Sequence, residues 1–469
     1  MKGKHLHTGQ SELYRSRLDS LLDSGHELFI MSLEVDWDWI DQELSEHYSD
    51  TGRPSVPTRT MVGMMLLKHL YNESDESVLR RWVENPYWQY FTGEEFFQHK
   101  HPFDPTDFVY FRKRVGELGM EKVLALSVKL HPGSEQEREL LFDTTVQEKD
   151  ITYPTDDKLA MRVIEYCWKY SVWEEISQRQ SYVRVLKKQR LALHNGSHPR
   201  RRKKAAKARR KIKTIAGRLV RELQRKMNQE QLSHYGETLE MFTQVLAQKR
   251  TDKDKRYSLH EPAVSCIAKG KAHKKFEFGS KVSIACTALS KVIMGIKCFE
   301  GSPYDGHTLA PSLEQVDRVR ADLGGTRPKI ATCDRGYRGP KEIEGTQVKI
   351  PSRGSGDQTA YQKRKERERF RRRAGIEPII GHLKADHRMG RNFLDGEIGN
   401  VVNALLAGAA FNFKKRLNMI RASILLLFKY LIRNTINNTR QVIGLHRLLA
   451  GYNIRCGKTI GLENVLFQV

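Results

Sequence analysis

Apolar positions along the chain recur with periods that change from one stretch to the next. Behind a Val56-Pro57-Thr58 entry, Met61, Met64, Met65, Leu67 and Leu70 fall at helical spacing. Ser74 stands where an N-cap belongs. Asp75 and Glu76 follow in the first turn, and Val78, Leu79, Trp82 and Val83 form one apolar face. A third helix is expected over Asp107–Leu118, carrying Arg112, Lys113 and Arg114. Short helices with exposed bases make residues 1–132 an all-α N-terminal DNA-binding domain of helix-turn-helix character, although a plain bundle would show the same pattern. The acids Glu34, Asp36, Asp38 and Asp41 read as a solvated helix start rather than a metal site.

His131-Pro132-Gly133-Ser134 reads as a linker, and the period then changes. Leu140 to Val146 is a buried-strand pattern interrupted by one carboxylate, Asp143. Residues 156–254 are long, helical and basic. Strand patterns return at 264–267, 276–278, 282–286 and 292–298, followed by a helix near 311–323 and a short strand from Lys329 that ends in Asp334. This order predicts a mixed α/β domain over 133–415, with the basic helical block 156–254 inserted between its first and second strands. Residues 416–469 form a C-terminal tail, helical at first and then uneven, to which no role is given.

Charge narrows the choice of partner. The 469 residues carry a formal net charge of +25, an excess that opposes compaction and is accounted for if the partner is a polyanion. Ten of the 14 residues from Arg200 to Lys213 are basic, among them Arg200, Arg201, Arg202, Lys203, Lys204, Arg209 and Arg210, with no acid between them. Such a run is usually a solvated face. Here it leads into an amphipathic stretch inside the chain, which favours nucleic-acid contact. The longest apolar stretch near the C-terminus, Ala422 to Ile432, is broken by Lys429 and is far short of the roughly 20 residues a spanning helix needs, so no membrane is expected. The six cysteines include no CxxC pair, which argues against zinc and against a disulfide framework. The first ten residues lack an apolar signal core, so secretion is not expected.

Phosphodiester transfer needs a strong nucleophile, in-line geometry and neutralisation of the leaving oxygen. Two hard cations about 4 Å apart on two or three carboxylates meet these needs. Asp143 and Asp334 each punctuate an apolar strand, where an ionised carboxylate is costly unless paired or metal-bound. The ordinary alternative for each is a turn residue or a helix cap. Glu377 and Lys384 lie seven apart and would share a helix face, although Pro378 predicts a helix start or kink at that point.

Three ordered blocks then give a specific match. They are Phe142 to Asp156 around the first aspartate, Asp334-Arg335-Gly336-Tyr337, and the set Arg373, Glu377 and Lys384 with gaps of three and six residues. Together they resemble the transposases of the bacterial insertion sequence 5 family, within the DDE superfamily. Phe370 stands where that family usually has Tyr. Asn85 to Gly93 and Gly301 to Leu309 are also family-like, and the match spans about residues 20 to 415.

The resemblance implies an RNase H-like catalytic fold with Asp143, Asp334 and Glu377 as catalytic metal ligands for two Mg²⁺ ions, with Mn²⁺ as a substitute. It implies that Arg373, Lys384 and Tyr337 lie near DNA. It further implies cleavage at the ends of a mobile element, attack of the freed 3′-hydroxyl on target DNA, double-stranded DNA as partner, and a homodimer bringing two ends together. A bacterial cytoplasmic, nucleoid-associated location follows. Two other readings stay open at this point: a metal-dependent nuclease that cuts without joining, and an inactive DNA-binding relic.

Overall fold

A computed structural model describes residues 2–3, 15–49, 51–249, 251–253, 255–268, 275–351 and 359–455, with side chains described through 433 apart from 428, 431 and 432. The closing residues 456–469, and with them the end of the tail, lie outside the described residues.

Among the described residues seven α-helices come first: α1 (Leu18–Leu21), α2 (Glu27–Glu34), α3 (Trp37–Glu43), α4 (Thr58–Leu70), α5 (Asp75–Glu84), α6 (Pro86–Phe91) and α7 (Pro105–Lys129). Their starts follow local chemistry. Ser74 caps α5 in a reciprocal box with Ser77. Asp36 accepts the Trp39 N–H at the head of α3, as a solvated helix-start acid should. The third expected helix is longer than its pattern suggested. It runs through a kink at Gly116, whose φ of 63° favours glycine.

The sheet follows. Its strands are β1 (Glu139–Lys149), then, after an excursion, β2 (Ser265–Ala268), β3 (Phe276–Thr287) and β4 (Ile293–Phe299). The excursion comprises α8 (Asp156–Trp173), α9 (Val183–Leu193), α10 (Pro199–Lys226) and α11 (Gln229–Ala247). Next come α12 (Asp305–Ala321), β5 (Ile330–Thr332), β6 (Glu342–Ile343), β7 (Thr346–Lys349), α13 (Ala360–Arg373), α14 (Ile376–Ala385), β8 (Arg391–Asn392) and α15 (Gly396–Arg455). The strand order is β2-β3-β1-β5-β7-β6, with β4 also on β3 and β8 also on β1. β1 is antiparallel to β3 and parallel to β5, so the sheet is mixed. The expected helix at 311–323 starts earlier, because Pro311 lies inside α12 rather than at its first position.

Two apolar cores result. One is built by α8, α10 and α11 around Val163, Cys167, Ile212, Leu219, Leu223 and Phe242. The other joins the N-terminal helices to the sheet and to α15. A division of the core at residue 132 is therefore not observed. His131 Nε2 meets the Asn412 carbonyl at 2.9 Å and His69 Nε2 meets Asn403 Oδ1 at 3.2 Å, tying the early helices to α15. Periodicity in the sequence marks which face of a helix is apolar but not what covers it. Among the described residues no helix is long and apolar enough to cross a membrane, and the five described cysteines are free thiols.

Candidate active site

β1 is flanked unevenly. On the side away from β3, β5 pairs only with Glu139 to Leu141, and β8 only with Glu148 and Lys149. Among the described residues no strand pairs with that edge between them, and Asp143 lies in this gap. β5, parallel to β1, ends at Thr332 and so delivers Asp334 beside Asp143. A third segment closes over both. α13 ends at Arg373, Ala374 and Gly375 interrupt the helix, and α14 begins at Ile376, which places Glu377 in its first turn, at the helix start that Pro378 predicted. A carboxylate there is favoured by the free N–H groups of the helix start.

Arg373 joins the two aspartates. Its Nη2 lies 3.1 Å from Asp143 Oδ2 and 3.7 Å from Asp334 Oδ2. The end of α13 is clamped in place by Glu139, which accepts from Arg369 (3.1 Å), Arg372 (3.2 Å) and Thr332 Oγ1 (2.7 Å). Lys291 adds a bond from Nζ to the Arg372 carbonyl at 2.9 Å. Glu139 is a site residue that the pattern did not single out. Its signal, an acid opening a buried strand opposite an Arg-rich helix, is common in surface pairs.

Burial pushes the Asp143 carboxyl up, Arg373 and the Thr144 N–H oppose this, and the charges of Asp334 and Glu377 add to it, leaving a pKa of about 6. The three acids thus act on one another. Among the described residues no group of three or more His, Cys, Asp or Glu stands close enough to hold a metal ion as arranged. The Arg373 guanidinium lies where such an ion would neutralise Asp143 and Asp334. The donor set itself, all carboxylate oxygens with one acid held up by burial and by its acidic neighbours, suits a hard divalent cation.

Local backbone holds each aspartate. Asp143 Oδ1 accepts the Thr144 N–H at 2.8 Å, and Asp334 Oδ1 accepts the Gly336 N–H at 2.8 Å. A Cβ on Gly336 would come within 2.9 Å of Asp334 Oδ1 and equally of Asp305 Oδ2, so a side chain there would displace one or both carboxylates.

The remaining expected residues are placed differently. Tyr337 is 2 % exposed and its ring lies in the core, so it offers no surface to DNA, contrary to expectation; an aromatic beside a loop arginine looks exposed in sequence, but here the turn after β5 folds it inward. Lys384 is half-buried, two turns along α14, lining a cleft with Arg388, Arg391 and Asp75. Arg200, Arg201, Arg202, Lys203, Lys204 and Arg210 are exposed on α10, whose buried stripe is Ala205, Ala208, Ile212 and Ile215. Arg209 is also exposed but pairs with Asp157 at 2.9 Å. Arg112 is not an exposed base: it is buried in a bidentate pair with Asp75 at 2.9 and 3.1 Å.

Comparison with known proteins gives two family matches. Residues 16–114 match the family described as Transposase domain (DUF772), and residues 243–413 match the family described as Transposase DDE domain. The second match contains Asp334 and Glu377 but begins after Asp143. An uncharacterized protein, ORF8 of the nfe locus of Rhizobium meliloti, is 38 % identical over 198 residues, covering 41 % of this chain and 96 % of that protein. A cryo-EM structure of the piggyBac transposase synaptic complex with hairpin DNA aligns over 87 % of this chain and 78 % of that one. It does so at 8 % identity and a TM-score of 0.32, too low to bear on the fold.

Proposed function

The chain belongs to the DDE transposases, and from that premise we propose that it is an insertion-sequence transposase of the insertion sequence 5 type, cutting DNA at element ends and joining them to target DNA. The observation that carries this reading is the convergence of Asp143 and Asp334 on one guanidinium, with Glu377 acting on the same buried carboxyl. The strand order, three antiparallel strands (β4, β3, β1) followed by two parallel ones (β5, β7), supports an RNase H-like domain from 133 to 415.

In this reading Asp143, Asp334 and Glu377 are the ligands of a divalent cation, Mg²⁺ or Mn²⁺, two ions in the full complement. Such ions supply an activated water and neutralise charge on the scissile phosphate. Arg373, which pairs with both aspartates, would hold its positive charge beside a DNA phosphate at the reacting group. Lys384, further along α14, contacts the adjoining backbone. The run Arg200–Lys204 opens α10, where basic residues oppose the helix dipole and one another. A position that disfavours stability in this way supports a role in gripping phosphates. The N-terminal helices and this insertion hold the element ends, and a homodimer pairs them.

The test is cleavage and strand transfer on DNA carrying the flanking element ends, with Mg²⁺, comparing wild type with Glu377→Gln. Joined product that needs metal and disappears in the variant is expected. Cleavage without joining identifies a nuclease, and equal activity in both proteins removes Glu377 from the site.

A further inference from the structure

Behind the two aspartates stands a further carboxylate, Asp305, in the first turn of α12. Its Oδ1 accepts from Thr144 Oγ1 at 2.7 Å and pairs with Lys281 Nζ at 2.6 Å. Lys281 also donates to the Pro303 carbonyl at 2.6 Å, so the lysine fixes the chain leading into α12. Thr144 is the residue whose N–H holds Asp143. Gly336 is the residue whose N–H holds Asp334, and Asp305 Oδ2 occupies the space beside the Gly336 Cα that a side chain would need. One carboxylate therefore bonds the side chain of the residue that donates to Asp143 and packs beside the glycine that donates to Asp334.

The pleat explains why it does not simply join them. Thr144 pairs across the ladder with Ser283, and Asp143 with Ile284. Successive side chains point to opposite faces. Asp143 therefore faces the α13–α14 side while Thr144 faces α12, and Asp305 acts through Thr144. Lys281, two residues from Ser283, shares that face and neutralises Asp305.

We propose that Asp305 is a positioning residue of the active site, fixing Asp143 through Thr144 and Asp334 through Gly336, and thereby setting the affinity of the metal position. This rests on the reading of Asp143, Asp334 and Glu377 as metal ligands. Groups that orient ligands from behind typically account for about 10- to 100-fold in metal affinity or activity.

The experiment uses the full chain with Mn²⁺ as probe, its free concentration read by electron paramagnetic resonance. Single-turnover cleavage at saturating DNA and thermal melting are measured alongside. Asp305→Ala and Thr144→Val are each expected to weaken Mn²⁺ binding and slow cleavage by about 10- to 100-fold, with DNA affinity unchanged. The double variant is expected to be no worse than the poorer single one, since both remove one contact. Asp305→Asn keeps an oxygen for Thr144 and should recover part of the loss. Wild-type Mn²⁺ affinity and cleavage rate per folded molecule in Asp305→Ala or, if that variant does not fold, in Thr144→Val would overturn the proposal. Strict additivity in the double variant would do the same. Wild-type Mn²⁺ affinity in Asp143→Asn would instead remove the ligand assignment beneath it, so the two failures are distinguishable.

Discussion

Replacing Asp143 by Asn should abolish cleavage and stabilise the protein. Burial, opposed by Arg373 and Thr144, lifts the carboxyl from an ordinary 3.8 to about 6. Because the folded-state value is the higher, the folded chain holds more protons between these limits. Its stability declines as pH rises through that window, and the full cost is present above it. Each pKa unit corresponds to about 1.4 kcal/mol, so the ionised carboxylate costs on the order of 3 kcal/mol at neutral pH. Asparagine resembles the protonated acid, can still accept the Thr144 N–H, and carries no charge to desolvate. A gain of about 1–3 kcal/mol is expected, which in a chain of this size is a rise of a few degrees in Tm. Melting curves at pH 7.5, 6 and 4.5, without divalent metal, measure it. The advantage should be largest at pH 7.5 and fade by pH 4.5. Added Mg²⁺ should then stabilise the wild type and not the variant. A variant less stable than wild type at pH 7.5, or an advantage growing toward acid, would refute the account of Asp143 as a carboxylate held at a cost for function.

Replacing Arg200, Arg201, Arg202, Lys203 and Lys204 together by Gln should leave the fold intact, since all five are exposed. It should lower the salt slope of DNA binding, log Kd against log salt, by about 4 to 5 if each contacts a phosphate; an unchanged slope would remove this run from the interface. Asp75→Asn should destabilise the folded state by about 3–5 kcal/mol in denaturant titrations, because it leaves Lys68 (2 % exposed) and Arg112 (8 % exposed) as uncompensated buried charges. Burial pushes the Asp75 carboxyl up, but Lys68 and Arg112 outweigh this and hold it at about 2. That contribution is therefore present above the ordinary carboxylate value and lost as pH falls toward 2, so the variant should lose less stability in acid than the wild type.

Much of the sheet was legible because its strands are written locally. Val282 to Cys286 and Val292 to Cys298 carry their apolar pattern within a few residues, and the observed strands overlap them. The meeting of Asp143, Asp334 and Arg373 was legible only through the spacing of three separate blocks, since nothing local to any one aspartate tells a ligand from a turn residue. Asp305 lay inside a stretch already marked as family-like, Gly301 to Leu309, yet its proposed role depends on a hydrogen bond to a residue 161 positions away. Arg112 and Tyr337 were misread for the same reason. A base or an aromatic shows its chemistry in sequence but not its neighbour, and Asp75, which buries Arg112, is 37 positions upstream. The continuous core between the early helices and α15 likewise depends on pairs such as His69 and Asn403, 334 positions apart.

At the margin of the site, Lys149 closes β1 and its Nζ lies 3.1 Å from Glu261 Oε1, with both side chains almost wholly enclosed. Nζ also reaches Asn400 Oδ1 at 3.0 Å, and Glu261 takes the Gly396 N–H at 3.0 Å. The excursion through α8–α11 therefore leaves and rejoins the sheet with its two ends fastened together, by this latch and by Lys255 on Asp156 at 3.2 Å. The entropy of closing a loop grows only as the logarithm of its length. With its two ends fastened to each other and its own apolar core, the insertion can lengthen, shorten or be exchanged at little cost to the strands that carry Asp143. The strand edge proposed as catalytic and the helices proposed to grip DNA are thus free to diverge as separate parts, one under tight geometric constraint and the other open to a change of sequence preference.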